Sequence, residues 1–172
     1  MQAQVFAALR ALHVLAGALW VGAATFNALY LVPSVIATGP AGGQVMRVLV
    51  QVRRLPLFMN GVMLLTLLTG LYLYDRVSGH FAPAWIASGP GLTLTVGALL
   101  AFVTAGIGHF VTVPTVKRIG ALGAAIAAAG GPPSAAQGAE LTRLQRRMLR
   151  AAQVGSLLIV LALILMAVAQ YV

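Results

Sequence analysis

The chain has 172 residues, of which 60% are hydrophobic and 8% charged, whereas a typical soluble domain carries about 25% charged residues. This composition excludes an ordinary soluble protein and predicts an integral membrane protein. The net charge of +9 does not indicate nucleic-acid binding, because the basic residues lie in predicted loops rather than along one folded face. The lack of cysteine excludes disulfides, thiolate metal sites and covalent c-type haem within this chain.

Four apolar runs have the roughly 20 residues that a helix needs to cross about 30 Å of hydrocarbon. They lie at about residues 5–33, 56–74, 92–114 and 151–171. The apolar residues do not alternate with polar ones as in a membrane β-barrel, so the predicted fold class is all-α. We expect one transmembrane domain over residues 1–172, and we expect the first run to be retained because it is too long for a signal-peptide core.

The first run contains the segment ALHVLAGALWVGAATFNALYLVP, which carries polar residues at regular intervals. His13, Trp20 and Asn27 are seven residues apart, nearly two helical turns, and therefore share one helix face. Gly17 lies between them and leaves room for a neighbouring helix. Because an unpaired polar group is costly in lipid, this face is predicted to point into a helix bundle.

The second run contains two methionines about one helical turn apart, Met59 and Met63. Thioether sulfur is a ligand that selects Cu(I), so copper handling is one interpretation of this pair. Packing of two methionines on an apolar helix is the other. After the run come Asp75 and His80, which belong to the same end of the predicted bundle as His13.

An internal repeat relates the two halves of the chain. The segment LYLVPSV around Pro33 resembles FVTVPTV around Pro114, an offset of 81 residues. Each proline is followed by a basic segment that ends in an arginine pair, closed by Arg54 or Arg147, and then by another apolar run. We therefore predict a four-helix bundle of two tandem hairpins in parallel orientation, unlike the inverted repeats of many transporters.

The basic residues predict the orientation of the hairpins. Of eleven Lys and Arg residues, all but Arg10 and Arg76 lie in the connections 34–55 and 115–150. The positive-inside rule then places both connections in the cytoplasm and both termini outside. The second connection contains a Gly- and Pro-rich linker at 127–138, and the basic segment after it is predicted to be the helical start of the fourth span.

Each predicted span carries a polar residue five or six residues from the proline or the arginine pair at its cytoplasmic end. These residues are Asn27, Asn60, His109 and Gln153. They are predicted to form an inner polar layer, in which an interhelical amide network would contribute about 0.6 kcal/mol per hydrogen bond. A role of His109 in proton or quinone chemistry is the alternative interpretation.

An outer polar layer is predicted around His13. Counted from the matched prolines, His13 and His109 are roughly 22 Å apart along the bundle at 1.5 Å per residue, so they cannot ligate the same iron. His13 and His80 both belong to the outer side, and neutral imidazole is a haem ligand. With Gly17 and Trp20 on the same face, b-type haem is one interpretation. A histidine that hydrogen-bonds to a neighbouring helix is the other.

The segment LHVLAGALWVGAATFNALYLVP resembles the CopD-like superfamily of small bacterial membrane proteins. Its helix opens with Leu-His, carries Trp-Val-Gly seven residues later and ends near a proline. This superfamily includes the membrane part of copper-resistance D proteins and the HemJ-type protoporphyrinogen oxidases. The resemblance implies a bacterial inner-membrane protein with a haem ligand at His13. HemJ-type enzymes also use a lysine in the third span, which this chain lacks, so the oxidase activity is not carried over.

Two functions of different classes follow from these observations. One is a haem-binding protein for electron transfer or redox chemistry, with a quinone or another membrane redox protein as partner. The other is a copper-handling protein or a cofactor-free structural subunit, and a homo-oligomer is compatible with both. No catalytic triad, carboxylate pair or nucleotide-binding loop is present in the sequence, and its only acids, Asp75 and Glu140, are far apart. The sequence does not decide whether the protein is an enzyme.

Overall fold

Four long helices account for most of the structure. The computed structural model describes residues 2–172, and these residues contain helices and turns but no strand. The long helices, called the first to fourth below, are Ala3–Ala37, Leu55–Val77, Gly89–Ala128 and Ala135–Tyr171. The predicted all-α four-helix bundle is therefore confirmed.

The long helices are built from shorter helical segments. In chain order the α-helices are α1 (Gln2–Phe26), α2 (Val32–Ala37), α3 (Pro40–Arg47), α4 (Leu55–Val77), α5 (Pro83–Ile86), α6 (Gly89–Ile107), α7 (Val113–Ala128) and α8 (Ala135–Val168). Turns of π-helix lie at Asn27–Leu31, Val48–Val52 and Gly108–Thr112, and a 3-10 turn at Ala169–Tyr171 follows α8. The first long helix thus joins α1 to α2, and the third joins α6 to α7.

The first and third long helices continue beyond the prolines that end the predicted apolar runs. Pro33 and Pro114 lie in the first turns of α2 and α7, directly after a π turn. Each π turn closes with a hydrogen bond over five residues, from Val32 N to Asn27 O and from Val113 N to Gly108 O. Since proline clashes with the carbonyl four residues before it in a regular helix, the wider turn lets the helix continue.

The fourth long helix begins well before its apolar run, as the sequence predicts. Ser134 accepts a hydrogen bond from Gln137 N at 3.2 Å, and the Gln137 side chain accepts one from Ser134 N at 2.9 Å. This capping box fixes the start of α8 at Ala135. The connection 115–150 is therefore mainly helical, with only residues 129–134 outside helices.

The structure repeats at the offset that the sequence indicates. The π turns Asn27–Leu31 and Gly108–Thr112 are offset by 81 residues at both ends, like Pro33 and Pro114. Buried positions repeat as well, with offsets of 81 in the odd-numbered long helices and 93 in the even-numbered ones. These buried pairs are Ala16 and Gly97, Trp20 and Ala101, Val62 and Gly155, Thr66 and Ile159, and Thr69 and Ala162.

The core contains residues from all four long helices, and α8 lies at the centre of the packing. α8 contacts α1, α6 and α7, while α1 also packs along α4. The central core cluster consists of Trp20, Val62, Ala101, Ile159 and Ala162. The outer faces of the long helices expose many large apolar side chains, which indicates a lipid-facing surface and a multi-pass membrane protein.

Candidate functional site

His13 hydrogen-bonds directly to the second long helix. Its Nδ1 lies 2.9 Å from the carbonyl oxygen of Thr66 and 3.2 Å from the hydroxyl oxygen of Thr69. A carbonyl oxygen can only accept, so Nδ1 carries a hydrogen and donates it to Thr66. In the neutral imidazole, Nε2 then keeps the lone pair that binds a metal.

The two threonines confirm this assignment of donor and acceptor. Thr66 Oγ1 donates to Val62 O at 2.7 Å, and Thr69 Oγ1 donates to Leu65 O at 2.6 Å. Because each hydroxyl hydrogen is used within α4, Thr69 can only accept from His13. The Nδ1–H group is therefore shared between two acceptors on one helix.

The other ring nitrogen of His13 is accessible. Within residues 2–172, every fully buried side-chain nitrogen has a hydrogen-bond partner. In the same range, the hydrogen bonds of His13 involve Nδ1 alone, so Nε2 has no partner and is not fully buried. Nε2 therefore keeps some accessible surface. A histidine whose Nδ1–H is fixed by a backbone carbonyl and whose Nε2 is free matches the usual arrangement of a metal-binding histidine, so His13 is the residue that would hold a haem iron.

Gly70 makes room for the imidazole. A Cβ atom at this position would lie 2.7 Å from His13 Cε1 and 3.2 Å from Nδ1, which no side chain could tolerate without a shift. A Cβ at Gly17 would lie 3.7 Å from Thr66 Cγ2, an ordinary contact distance. Gly70 is therefore the glycine that makes room for the imidazole, and His13, Thr66, Thr69 and Gly70 are called the His13 cluster below. A role of Gly17 in binding a cofactor stays a prediction.

The His13 cluster occurs in only one of the two hairpins. The repeat offsets relate His13, Thr66 and Thr69 to Leu94, Ile159 and Ala162. The second hairpin thus packs apolar side chains where the first has a histidine and two threonines. Since α6 and α8 pack closely against each other without these polar groups, helix packing alone does not require them.

Trp20 occupies the centre of the bundle. Its side chain is 4% exposed and lies in the core cluster with residues from the other three long helices. A flat macrocycle has no room on the bundle axis at this level. Any group bound at His13 Nε2 therefore lies away from the packed centre of the bundle at Trp20.

His80 does not meet His13. Its side chain is 70% exposed and its Nδ1 lies 3.1 Å from Asp75 Oδ1, in the turn that follows α4. Along α4, Asp75 is five residues beyond Gly70, roughly 8 Å at 1.5 Å per residue. In the described part of the chain, no hydrogen bond joins the two imidazoles, and no group of three or more His, Asp or Glu side chains could hold a metal ion.

The four residues of the predicted inner polar layer do not form one. Asn60, His109 and Gln153 are exposed, and Asn27 Nδ2 donates to Ala23 O of its own helix at 2.8 Å. His109 instead packs edge-on against the ring of Phe110, with 4.9 Å between centroids. The structure therefore brings none of these polar groups together across helices.

The reason lies in the direction of each helix face. Val62 and Gly155 are buried, and Asn60 and Gln153, two residues before them, lie about 200° around their helices. Asn27 and His109 belong to π turns, where an additional residue in the turn changes the direction of the side chains. Residue spacing measured on a regular helix does not hold there.

Hydrogen bonds between the helices are made by other side chains. Tyr74 Oη lies 2.6 Å from Thr95 Oγ1 and links α4 to α6, while Ser156 donates to Thr25 at 3.2 Å and links α8 to α1. Met59 and Met63 are partly buried and pack against the core cluster, as the packing interpretation predicts. Their placement gives no support to the copper alternative.

Thr66, Thr69 and Gly70 are site residues that the sequence analysis missed. The segment LLTLLTG does hold two threonines and a glycine at helical spacing in an apolar run, which could have indicated a polar face on α4. Neither threonine stands out in composition, because each can satisfy its hydroxyl within its own helix. The partner of His13 therefore becomes visible only when the two helices are packed together.

Comparison with known proteins identifies no relative. No family model, no curated protein and no solved structure matches the chain. The CopD-like assignment stays a prediction based on the segment around His13.

Proposed function

We propose that the protein is a multi-pass membrane protein that binds b-type haem through His13 and serves electron transfer or related redox chemistry. The observation that supports the proposal is the His13 cluster, with Nδ1–H held by Thr66 and an accessible Nε2. The apolar counterpart of this cluster in the second hairpin supports a role other than packing. The CopD-like resemblance of residues 11–33 points to the same ligand.

The residues of the cluster have distinct roles in this proposal. The Thr66 carbonyl fixes the tautomer and orientation of His13 and increases the basicity of Nε2. Gly70 lets the imidazole lie against α4. When bound, haem would supply a one-electron redox centre, and the surrounding apolar helices would limit the access of water to it.

His80 enters the proposal only as a conditional second ligand. It is held by Asp75, and Gly79, His80 and Phe81 all have left-handed backbones with φ of 63°, 62° and 61°. Such a conformation costs a non-glycine residue of order 1–3 kcal/mol, so a rearrangement of this turn would release strain. Ligation by both histidines would require that rearrangement, whereas ligation by His13 alone would not.

The proposed location is the bacterial inner membrane, with both termini outside and the basic connections in the cytoplasm. The charge distribution supports this orientation, and the His13 cluster then lies in the outer half of the bundle. A quinone or a membrane-bound redox protein at the outer surface would be the electron partner.

The visible spectrum of the detergent-purified protein tests the proposal. We expect a Soret band and, after reduction, sharp α and β bands. In His80→Ala the Soret band should remain, and its reduced α band should change only if His80 is the second ligand. If the wild-type protein, expressed with haem available, shows no Soret band, the proposal is wrong and His13 serves interhelical hydrogen bonding alone.

A further inference from the structure

A groove lined by arginines lies between the third long helix and α8. Its volume is about 820 Å³. Four arginines of α8 line one part of it: Arg143, Arg146, Arg147 and Arg150. Counted from Arg143 they stand at positions i, i+3, i+4 and i+7, so their side chains share one side of the helix. We call this cavity the arginine groove.

Most of the positive charge in the arginine groove has no carboxylate partner. Arg143 binds Glu140 through two hydrogen bonds of 2.7 Å, from Nε and from Nη2. The only other acid of the chain, Asp75, interacts with His80 and Arg76 instead. Three guanidinium groups, those of Arg146, Arg147 and Arg150, are thus left to bind an anion, and guanidinium binds phosphate, like carboxylate, through paired hydrogen bonds.

The remaining wall of the arginine groove is apolar. It includes Ile107 and Val111 of the third long helix and Ala151 and Val154 of α8. Along α8, Val154 is seven residues beyond Arg147, roughly 10 Å in the direction of the apolar run. A ligand that fits both parts carries a phosphate at one end and a hydrocarbon chain at the other.

We propose that the arginine groove binds an anionic phospholipid, with the phosphate at the arginines and an acyl chain along the apolar wall. Basic pockets between membrane helices on the cytoplasmic side are known to hold anionic lipid headgroups. A soluble phosphate would use only the arginine part, and a zwitterionic lipid would bring a second positive charge near the guanidinium groups. This inference does not depend on haem binding.

Native mass spectrometry of the detergent-purified chain, titrated with phosphatidylglycerol, tests the proposal. Replacing the three unpaired arginines by glutamine should lower the affinity about 100-fold, equivalent to about 1 kcal/mol for each removed charge. The matched control replaces Arg47, Arg53 and Arg54, which removes equal charge from the other basic connection. This control should bind the lipid like the wild type, whereas an equal loss would show unspecific attraction and overturn the proposal.

A second pair of variants keeps every charge. Val154→Trp fills the apolar wall of the groove and should abolish phosphatidylglycerol binding, while Leu157→Trp, exposed on α8 but outside the groove, should not. Phosphatidylcholine and inorganic phosphate are titrated in parallel. Binding of phosphatidylcholine with equal affinity, displacement of the lipid by inorganic phosphate, or unchanged lipid binding in Val154→Trp would each contradict the proposed site.

Discussion

At the scale of single residues, one imidazole and one glycine define the site. His13 donates a single N–H group to two oxygens of α4, and its ring packs on the backbone at Gly70. In a helix, the Thr66 carbonyl also accepts from the backbone N–H four residues later, and its two lone pairs allow both bonds. The hydrogen bond therefore orients His13 without opening α4.

Gly70→Ala should displace the imidazole. The new methyl group would lie 2.7 Å from His13 Cε1, and relief of such overpacking costs about 1–3 kcal/mol. We expect a lower thermal unfolding midpoint and loss of any haem absorption. Gly61→Ala in the same helix is the matched control, because a Cβ there has no neighbour within 4 Å. An equal midpoint in the two variants would show that the ring does not lie against Gly70.

The sequence predicted the residues of this site only in part. The seven-residue spacing identified His13 and the inward face of α1, and the structure places Trp20 on that face in the core. The partner of His13 could not be predicted, since a threonine in an apolar helix usually bonds to its own backbone. The sequence places His80 and His13 at the same end of the bundle. It does not predict the direction of the His80 side chain, because the path of a turn with three left-handed residues does not follow from local sequence pattern.

At the scale of elements, the π turns decide where polar side chains point. The sequence predicted matched prolines at Pro33 and Pro114, yet it predicted regular helices that end there. The structure has a π turn before each proline and a continuing helix after it, and the proposed inner polar layer fails for that reason at Asn27 and His109. The layer fails at Asn60 and Gln153 for a second reason. Two residues at equal depth in their helices need not both face the bundle interior, and these two side chains are exposed.

The hydrogen bond between Tyr74 and Thr95 should stabilise the contact of α4 with α6. A double-mutant cycle of Tyr74→Phe and Thr95→Val, measured by unfolding in detergent, should give a coupling free energy of about 0.6 kcal/mol. Thr93 is the matched control, since it also donates to a backbone carbonyl four residues before it but has no Tyr74 contact. Coupling of equal size in the Tyr74 and Thr93 cycle would contradict a direct hydrogen bond.

At the scale of the whole molecule, the chain is a repeat with one polar site. Five pairs of buried positions and one pair of π turns follow the offsets of the two hairpins. The parallel orientation of the two hairpins stays a prediction, and so does the placement of both termini outside. The His13 cluster and the arginine groove lie in different hairpins and toward opposite ends, so their functions can be tested separately.

The orientation can be tested with fusions at the C-terminus. Because nine of the eleven basic residues lie in the two connections, we expect an active C-terminal alkaline phosphatase and a dark C-terminal fluorescent protein. Fusions within the linker at residues 129–134 should give the reverse pattern. A fluorescent C-terminal fusion would place the arginine groove outside and the His13 cluster in the cytoplasmic half.

The haem content of three purified proteins tests the central claim most directly. The wild type is compared with His13→Leu, which introduces the residue found at the matching position of the second hairpin, and with His109→Leu, which removes an exposed histidine of the third long helix. The account predicts haem in the wild type and in His109→Leu, and none in a folded His13→Leu. Equal haem content in all three proteins, or a wild type without haem, would contradict it.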